Sequence, residues 1–494
     1  MNKILLINSP LGDTREYRKL LPLGISYLAS ALKDAGLVCD TVDGDLDCLP
    51  LNEIVRLTSN YDLIGISSTT SNFPYAAKMA QAIKTERDIP IILGGYHATF
   101  EHEEILKGMD CFDAIVRGEG ETVIVELCKD YFKNNSFSQP INGVSYRQLN
   151  GKILISSNIN LENNLDKLSL PVRDNLLKYQ KDYYLNQDKK IYVTVLSSRG
   201  CPYGCSFCAT TCFRRVWLAR SPESVADEVY LLYKEYKDIL VAFIDDNFFI
   251  DPIRSKEIIL RINEKCEKKI FFKFGTRADQ IIKGAEYLDF FKENGCRSIE
   301  LGIENGSDSV LERYYKNTTA LVNELAIKTV RSHGIQVAID YIMFDPKTTV
   351  NELRENILFI KNTDIWGEYL PLIYNRVEPF PGTKFKTIYG EAHSNDNYFT
   401  SANVKQIYDL ITKFKDTYQI RINKLIDDFI ISINDGSGIR ISKREYIWLR
   451  TMPYILFDEL VAESSDYLHR YNLVVSENKL EEHLSFLEKK LQIN

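Results

Sequence analysis

Three cysteines stand close together in the loop Ser197-Ser198-Arg199-Gly200-Cys201-Pro202-Tyr203-Gly204-Cys205-Ser206-Phe207-Cys208, at C-x3-C-x2-C spacing. Thiolates this near in sequence reach three corners of one metal centre, and soft sulfur selects zinc or an iron–sulfur cluster. Pro202 and Gly204 suit a tight wrap. A structural zinc site is closed by four ligands, and Cys212 would be the fourth on that reading. A set of buried thiols without metal is the plainer alternative. A cube of four irons on three cysteines would leave one iron open to a small molecule. Spacing alone leaves these readings open.

The elements around the loop are those of an α/β fold. Residues 191–196, Ile-Tyr-Val-Thr-Val-Leu, read as a buried strand. The cysteine loop is therefore expected to leave a strand's carboxyl end, the edge where α/β folds place their ligands. Downstream, Ser221-Pro222 is a fair start for a helix over 223–236. Strands are expected over 239–244, 271–279, 298–304, 336–342 and 372–377, which with 191–196 makes six βα-type units, short of a full eight-fold barrel. Polar residues stand at the strand ends: Asp245, Asp246, Asn247, Arg277, Glu304 and Asn305.

The opening third alternates short apolar runs with helical patterns. Strands are expected at 4–7, 63–67, 91–95 and 114–116, with helices at 23–35 and 74–84 between them. That order predicts a doubly wound parallel sheet of Rossmann or flavodoxin type. Small and polar residues follow each strand: Asn8-Ser9-Pro10, Ser67-Ser68-Thr69-Thr70, Gly94-Gly95-Tyr96-His97 and Arg117-Gly118-Glu119-Gly120-Glu121. Those loops share one edge of the sheet, where a ligand belongs. A hairpin is expected around Asn150-Gly151. Val404 to Ile433, Arg444 to Leu460 and Asn478 to Leu491 have helical patterns and carry no motif. The expected division is 1–135, a connection over 136–189, a catalytic unit over 190–385 and a mainly helical region over 386–494.

The cysteine spacing, with Phe207 directly before the last thiol, resembles the signature of the radical S-adenosylmethionine (SAM) enzymes. The resemblance implies a [4Fe–4S] cluster on Cys201, Cys205 and Cys208, its open iron chelated by the amino and carboxylate groups of SAM. An electron from the cluster would then cleave SAM to a 5′-deoxyadenosyl radical. The family core is an open six-unit partial barrel of TIM type. Asp245-Asp246-Asn247-Phe248 resembles its second-strand motif, beside the SAM amino group. Gly302-Ile303-Glu304-Asn305 resembles its fourth-strand motif, where a carboxylate accepts ribose hydroxyls. Phe380-Pro381-Gly382-Thr383 matches the turn that closes the last unit. Phe207, Asp245, Asp246, Asn247, Arg277, Glu304 and Asn305 are the implied SAM contacts.

The first third is similar, in the order of its segments, to the cobalamin-binding domain fused to many radical SAM enzymes. The matching pieces are Pro22-Leu23-Gly24-Ile25-Ser26-Tyr27 and the loops after the later strands. The resemblance implies cobalamin contacts from Pro10, Leu11, Leu23, Gly24, Ser67, Ser68, Thr69, Thr70, Gly94, Gly95, Tyr96, His97, Gly118, Glu119 and Gly120. Domains that ligate cobalt through histidine carry D-x-H-x-x-G after the first strand. Here that loop reads Asn8-Ser9-Pro10-Leu11-Gly12-Asp13, so no histidine axial ligand is expected. The resemblance covers residues 1 to about 385.

Length and composition bound the rest. A chain of 494 residues calls for two or three domains. A net charge of -7, from 61 basic and 68 acidic residues, argues against nucleic acid held by general electrostatics. No apolar run reaches the ~18–20 residues of a membrane span, and the first residues lack a signal peptide's pattern. Ten cysteines without a paired framework suit a reducing cytoplasm. The expected activity is methylation of an unactivated carbon of a small metabolite or peptide, with a reducing donor such as flavodoxin or ferredoxin. Cyclisation, oxidation or rearrangement with the same cofactors is the second reading; a non-catalytic iron–sulfur or zinc sensor of SAM or redox state is the third.

Overall fold

The computed structural model describes residues 2–11, 21–47, 49–148, 150–156, 158–159, 161–178, 184–185, 190–366, 372–390, 398–435, 442–462 and 479–492. Gly12 and Asp13 of the first loop, Cys48, and most of the unassigned stretch 179–188 lie outside them.

The first sheet holds β1 (Lys3–Asn8), β2 (Val38–Asp43), β3 (Leu63–Ser67), β4 (Ile91–Gly94), β5 (Ala114–Val116), β6 (Val144–Arg147) and β7 (Ile153–Ile155), in the order β2-β1-β3-β4-β5-β6-β7. β1 to β5 are parallel, and their two-residue period feeds two cores. Leu5, Ile7, Ile64 and Ile66 pack with residues of helices Phe73–Glu86 and Tyr96–Gly108. Ile4, Leu6, Leu63 and Ile92 pack with residues of Leu23–Asp34 and Glu121–Asn134. The edge strand β2 was not expected; Val38, Thr41 and Val42 are its β-branched signal. The hairpin around Gly151 (φ +81°) forms, and β6 and β7 add to β5 as antiparallel strands.

The second sheet uses β8 (Tyr184–Leu185), β9 (Lys190–Val195), β12 (Ile239–Phe243), β13 (Phe271–Arg277), β14 (Cys296–Glu304) and β15 (Gln336–Tyr341), in the order β15-β14-β13-β12-β9-β8. β10 (Ser198–Arg199) and β11 (Leu218–Ala219) form a separate antiparallel ribbon beside the cysteine loop. β9 and β12 to β15 are parallel.

The strand expected over 372–377 is a correction. Leu372–Tyr374 is a 3-10 turn, and only Arg376 bridges to Phe344. Leu372, Ile373 and Tyr374 are buried in succession and fold as a single 3-10 turn instead of pairing with the sheet. The Asn375 carbonyl takes the N–H groups of Met343 and Phe344 at 2.9 and 3.0 Å, so the sixth unit closes through a bridge.

The long helix expected over 404–433 runs as Ala402–Phe414 and Ile420–Asp435, joined by one π-helical turn, Lys415–Gln419. Helices Lys443–Ala462 and Lys479–Gln492 follow. One apolar core contains barrel residues, Val404, Leu449 and Leu484 of this region, and Leu21, Leu23, Tyr27 and Leu46 from the first third. Among the described residues no helix is long and apolar enough to cross a membrane.

Candidate active site

Parallel pairing of β9 with β12 sets Phe243 opposite Val195, so the cysteine loop and Asp245-Asp246 leave the sheet together. Asp245 accepts from the Ser197 N–H (3.1 Å), the Ser197 hydroxyl (2.7 Å) and the Ser198 hydroxyl. Burial pushes its carboxyl up, and those donors pull it back. Asp246 accepts the Gly200 N–H at 2.9 Å. Gly200 is left-handed (φ +82°), and a Cβ there would stand 2.4 Å from the Val216 carbonyl oxygen. The Cys201 N–H donates to the Arg214 carbonyl at 3.2 Å.

Cys201 and Cys205 are buried, Cys208 is half-buried, and all three open into one cavity of about 1430 Å3. Burial pushes the Cys201 thiol up to about 11 and raises Cys208 as well. Arg277 Nη1 donates to Cys205 Sγ at 3.5 Å. Thiols that burial holds protonated become ligands when a bound cation takes the proton's place. Cys212 is exposed, with its Sγ 3.6 Å from the Cys208 carbonyl. Among the described residues no three His, Cys, Asp or Glu side chains converge on a single-ion site. Three thiols around one large cavity fit a polynuclear cluster.

Of the expected SAM contacts, Phe207, Asp245, Asp246, Arg277 and Glu304 line this cavity. Phe207 packs against Tyr314 at 5.3 Å. Glu304 sits in the left-handed region (φ +64°) and holds Lys316 Nζ at 2.8 Å. Arg277 lies over Tyr203 at 3.9 Å and pairs with Asp279 at 2.8 Å, so much of its fork is already engaged. Asn247 and Asn305 lie behind the wall. Asn247 accepts the Thr276 hydroxyl at 2.7 Å, and Asn305 donates to the Ile342 carbonyl at 2.8 Å.

Sequence reasoning missed the deeper wall. Tyr192, Lys273, Glu300 and Asp340 line the same cavity, as do Lys415, Asp416 and Gln419 of the π turn. Asp340 is pushed up to about 8 by burial, reinforced by Glu300 and Glu304 and opposed by Lys316. The alternation Ser298, Glu300, Gly302, Glu304 along β14 was a legible signal for an inward polar face.

A second cavity, about 370 Å3, lies between the carboxyl edge of the first sheet and the cysteine loop. Leu23, Gly24, Ser67, Gly94, Gly95, Tyr96, Gly118, Glu119 and Gly120 line it on one side; Arg199, Gly200, Phe213 and Arg214 line it on the other. Gly95 (φ +103°) is required, because a Cβ would lie 2.2 Å from the Ser68 carbonyl oxygen. Ile244 and Asp246 line both cavities. The other candidates lie outside the lining. The Leu11 N–H is held by Asp45 at 2.7 Å, and a Cβ on Gly44 would strike Pro10. Thr69 binds Asn72, and the buried Ser68 hydroxyl has no partner among the described residues. His97 stacks on Phe73 at 4.1 Å and contacts Thr70 at 3.3 Å, and burial lowers its pKa. Bare glycine backbone around this cavity fits a close-lying organic group. The volume is near the low end of small-molecule sites, about 300–1,000 Å3, which suits one appendage of a corrinoid.

Comparison with known proteins agrees with this architecture. The B12 binding domain matches residues 16–128 and the radical SAM superfamily residues 195–360. An uncharacterised methyltransferase of Pyrococcus horikoshii is 30% identical over 417 residues, 83% of this chain and 87% of that one. The anaerobic magnesium-protoporphyrin IX monomethyl ester cyclase of Rubrivivax gelatinosus is 28% identical over 368 residues, 71% and 64% of the two chains. In fold, the chain is similar to the cobalamin-dependent SAM radical enzyme OxsB with aqua-cobalamin bound. The TM-score is 0.78 at 18% identity, covering 100% of this chain and 82% of that one. The chain belongs to the radical SAM enzymes that carry a B12-binding domain. Its two domains imply a [4Fe–4S] cluster, SAM and cobalamin.

Proposed function

We propose that the protein methylates an unactivated carbon of a small metabolite or peptide. The observation that carries this reading is the wall common to the two cavities: Ile244 and Asp246 border both the glycine-lined space and the cysteine cavity. When bound, the cluster and SAM supply a 5′-deoxyadenosyl radical, and cobalamin supplies a methyl group. Cys201, Cys205 and Cys208 hold the cluster, and Glu304, with Lys316 beside it, takes the ribose hydroxyls. Gly94, Gly95, Gly118 and Gly120 receive the corrinoid's appendage. On this reading no histidine axial ligand is expected, since the loop after the first strand reads Asn8-Ser9-Pro10-Leu11-Gly12-Asp13. The π turn closes the far side of the cysteine cavity, where substrate sits out of water. The reducing electron comes from a separate donor of flavodoxin or ferredoxin kind.

A second reading, cyclisation or oxidation with the same cofactors, is favoured by the similarity to a cyclase. Anaerobic purification with cobalamin supplied tests the cofactors: about four irons and one corrinoid per chain are expected. Cys205→Ala should abolish the cluster and spare the corrinoid. Label from methyl-labelled SAM appearing in a product, with 5′-deoxyadenosine, supports methylation. Unlabelled product with 5′-deoxyadenosine supports the second reading. Zinc in place of iron overturns both.

A further inference from the structure

The loop after β5, Arg117-Gly118-Glu119-Gly120-Glu121, borders the second, glycine-lined cavity, yet its two carboxylates reach out of the first sheet's unit to Arg199 in the cysteine loop and Arg214 just beyond it. Glu119 Oε1 lies 3.0 Å from Arg214 Nη1 and 3.6 Å from Arg199 Nη1; Glu121 Oε1 lies 2.6 Å from Arg199 Nη2. The side chains of Glu119, Glu121, Arg199 and Arg214 are 5%, 11%, 14% and 6% exposed. Two carboxylates against two guanidiniums leave the network neutral. Burial protects it from solvent screening, and loss of one partner would strand a charge.

Both arginines are tied to a cluster ligand. Arg199 stands two residues before Cys201, and the Arg214 carbonyl accepts the Cys201 N–H at 3.2 Å. Gly200, between Arg199 and Cys201, is packed so tightly that its missing Cβ would meet the Arg214 backbone oxygen at 2.9 Å. The cavity wall and the first thiol are therefore joined by one layer of ion pairs and one backbone hydrogen bond.

We infer that Glu119 and Glu121 are positioning residues for the cysteine loop, so that filling the glycine-lined cavity and building the cluster favour each other. Gly118 and Gly120 carry the same backbone along the cavity, so a group seated there fixes the two carboxylates. A cluster seated on the thiols fixes their arginine partners. Such coupling is reciprocal by linkage. The inference rests on reading the two sites as those of a corrinoid and a cluster.

The test titrates hydroxocobalamin, by its visible absorption, into the full-length protein under anaerobic conditions. One sample carries the reconstituted cluster; the other has its iron stripped by a chelator. Wild type should bind about fivefold or more tightly with the cluster present, the low end of typical allosteric coupling. Hydroxocobalamin should in turn slow the removal of iron by the chelator. Glu121→Gln should bring the affinity ratio towards one while each cofactor still binds. Equal affinities in the two wild-type forms overturn the inference although both cofactors bind. No binding of hydroxocobalamin to either form overturns it together with the corrinoid reading. The wild-type comparison needs no substitution, so it decides the matter even where a variant fails to fold.

Discussion

Asp245 and Asp340 are both carboxylates near the ends of barrel strands, and their surroundings give them opposite tasks. Asp245 accepts from the backbone and hydroxyl of Ser197 and the hydroxyl of Ser198, and so shapes the chain just before the cysteines. Asp245→Ala leaves buried donors without an acceptor. It should lower the unfolding free energy by about 1–3 kcal/mol and the iron retained after reconstitution, read from urea midpoints and iron analysis. Unchanged iron would deny Asp245 that role. Asp340 instead lines the cavity beside Glu300 and Glu304, and burial together with those two carboxylates pushes it up to about 8. Between about pH 4, the ordinary carboxylate range, and its folded pKa, the folded chain keeps a proton that the unfolded chain has lost. Stability therefore falls as pH rises through that window, and the loss is absent below it. Asp340→Asn should flatten that slope and make the cluster-free protein more stable than wild type at pH 8. Parallel slopes would sink the idea. The cysteines were legible because their spacing is itself the signal. The task of Asp245 was not, because its partners lie 47 and 48 residues away.

Among the elements, those with strong local chemistry were the legible ones. Ser221-Pro222 marks the start of helix Pro222–Tyr236, and the Ser221 side chain does accept the Ser224 N–H, at 3.2 Å. Ser221→Ala should cost about 1 kcal/mol, measured as a shift of the denaturation midpoint. The π turn was not legible, since the apolar period on either side of it is helical throughout. Phe414 before the turn and Ile422 after it are both buried, and the widened turn between them faces the cavity. Deleting Thr417, an exposed residue of that turn, should return the segment to α-helix with both flanks still seated. Lys415, Asp416 and Gln419 would then be displaced from the cavity. We expect substrate-dependent product to fall about 100-fold, as displaced positioning groups can cause. SAM cleavage to 5′-deoxyadenosine should persist. Loss of both activities together would mean that the turn serves the fold.

At the scale of the whole molecule, the sequence order of sheet, barrel and helices was legible from alternating strand and helix patterns, but their docking was not. Glu119 and Arg214 are 95 residues apart, and no local pattern announces such a pair. Docking is more than ionic. Leu23 and Tyr27, from the first helix, belong to the same apolar core as Val193, Val241 and Phe272 of the barrel. Lys386 reaches Glu101 at 2.9 Å, and Phe100 fills the space beside Gly382. Chains of several domains often unfold in steps; a core common to both halves, crossed by buried ion pairs, argues that this one does not. Trp217, Trp366 and Trp448, the three tryptophans, all lie beyond residue 190, so their fluorescence follows the barrel and the helices. Far-UV circular dichroism follows both sheets. In the cofactor-free protein the two signals should trace one coincident urea transition. Tyr27→Ala, which empties a buried aromatic site at the junction, should move both to lower urea by about 3–5 kcal/mol, the range for buried aromatic truncations. A dichroism change that precedes the fluorescence change, in wild type, would mean that the first sheet opens while the barrel stays folded. The corrinoid and cluster sites would then lie on separable bodies.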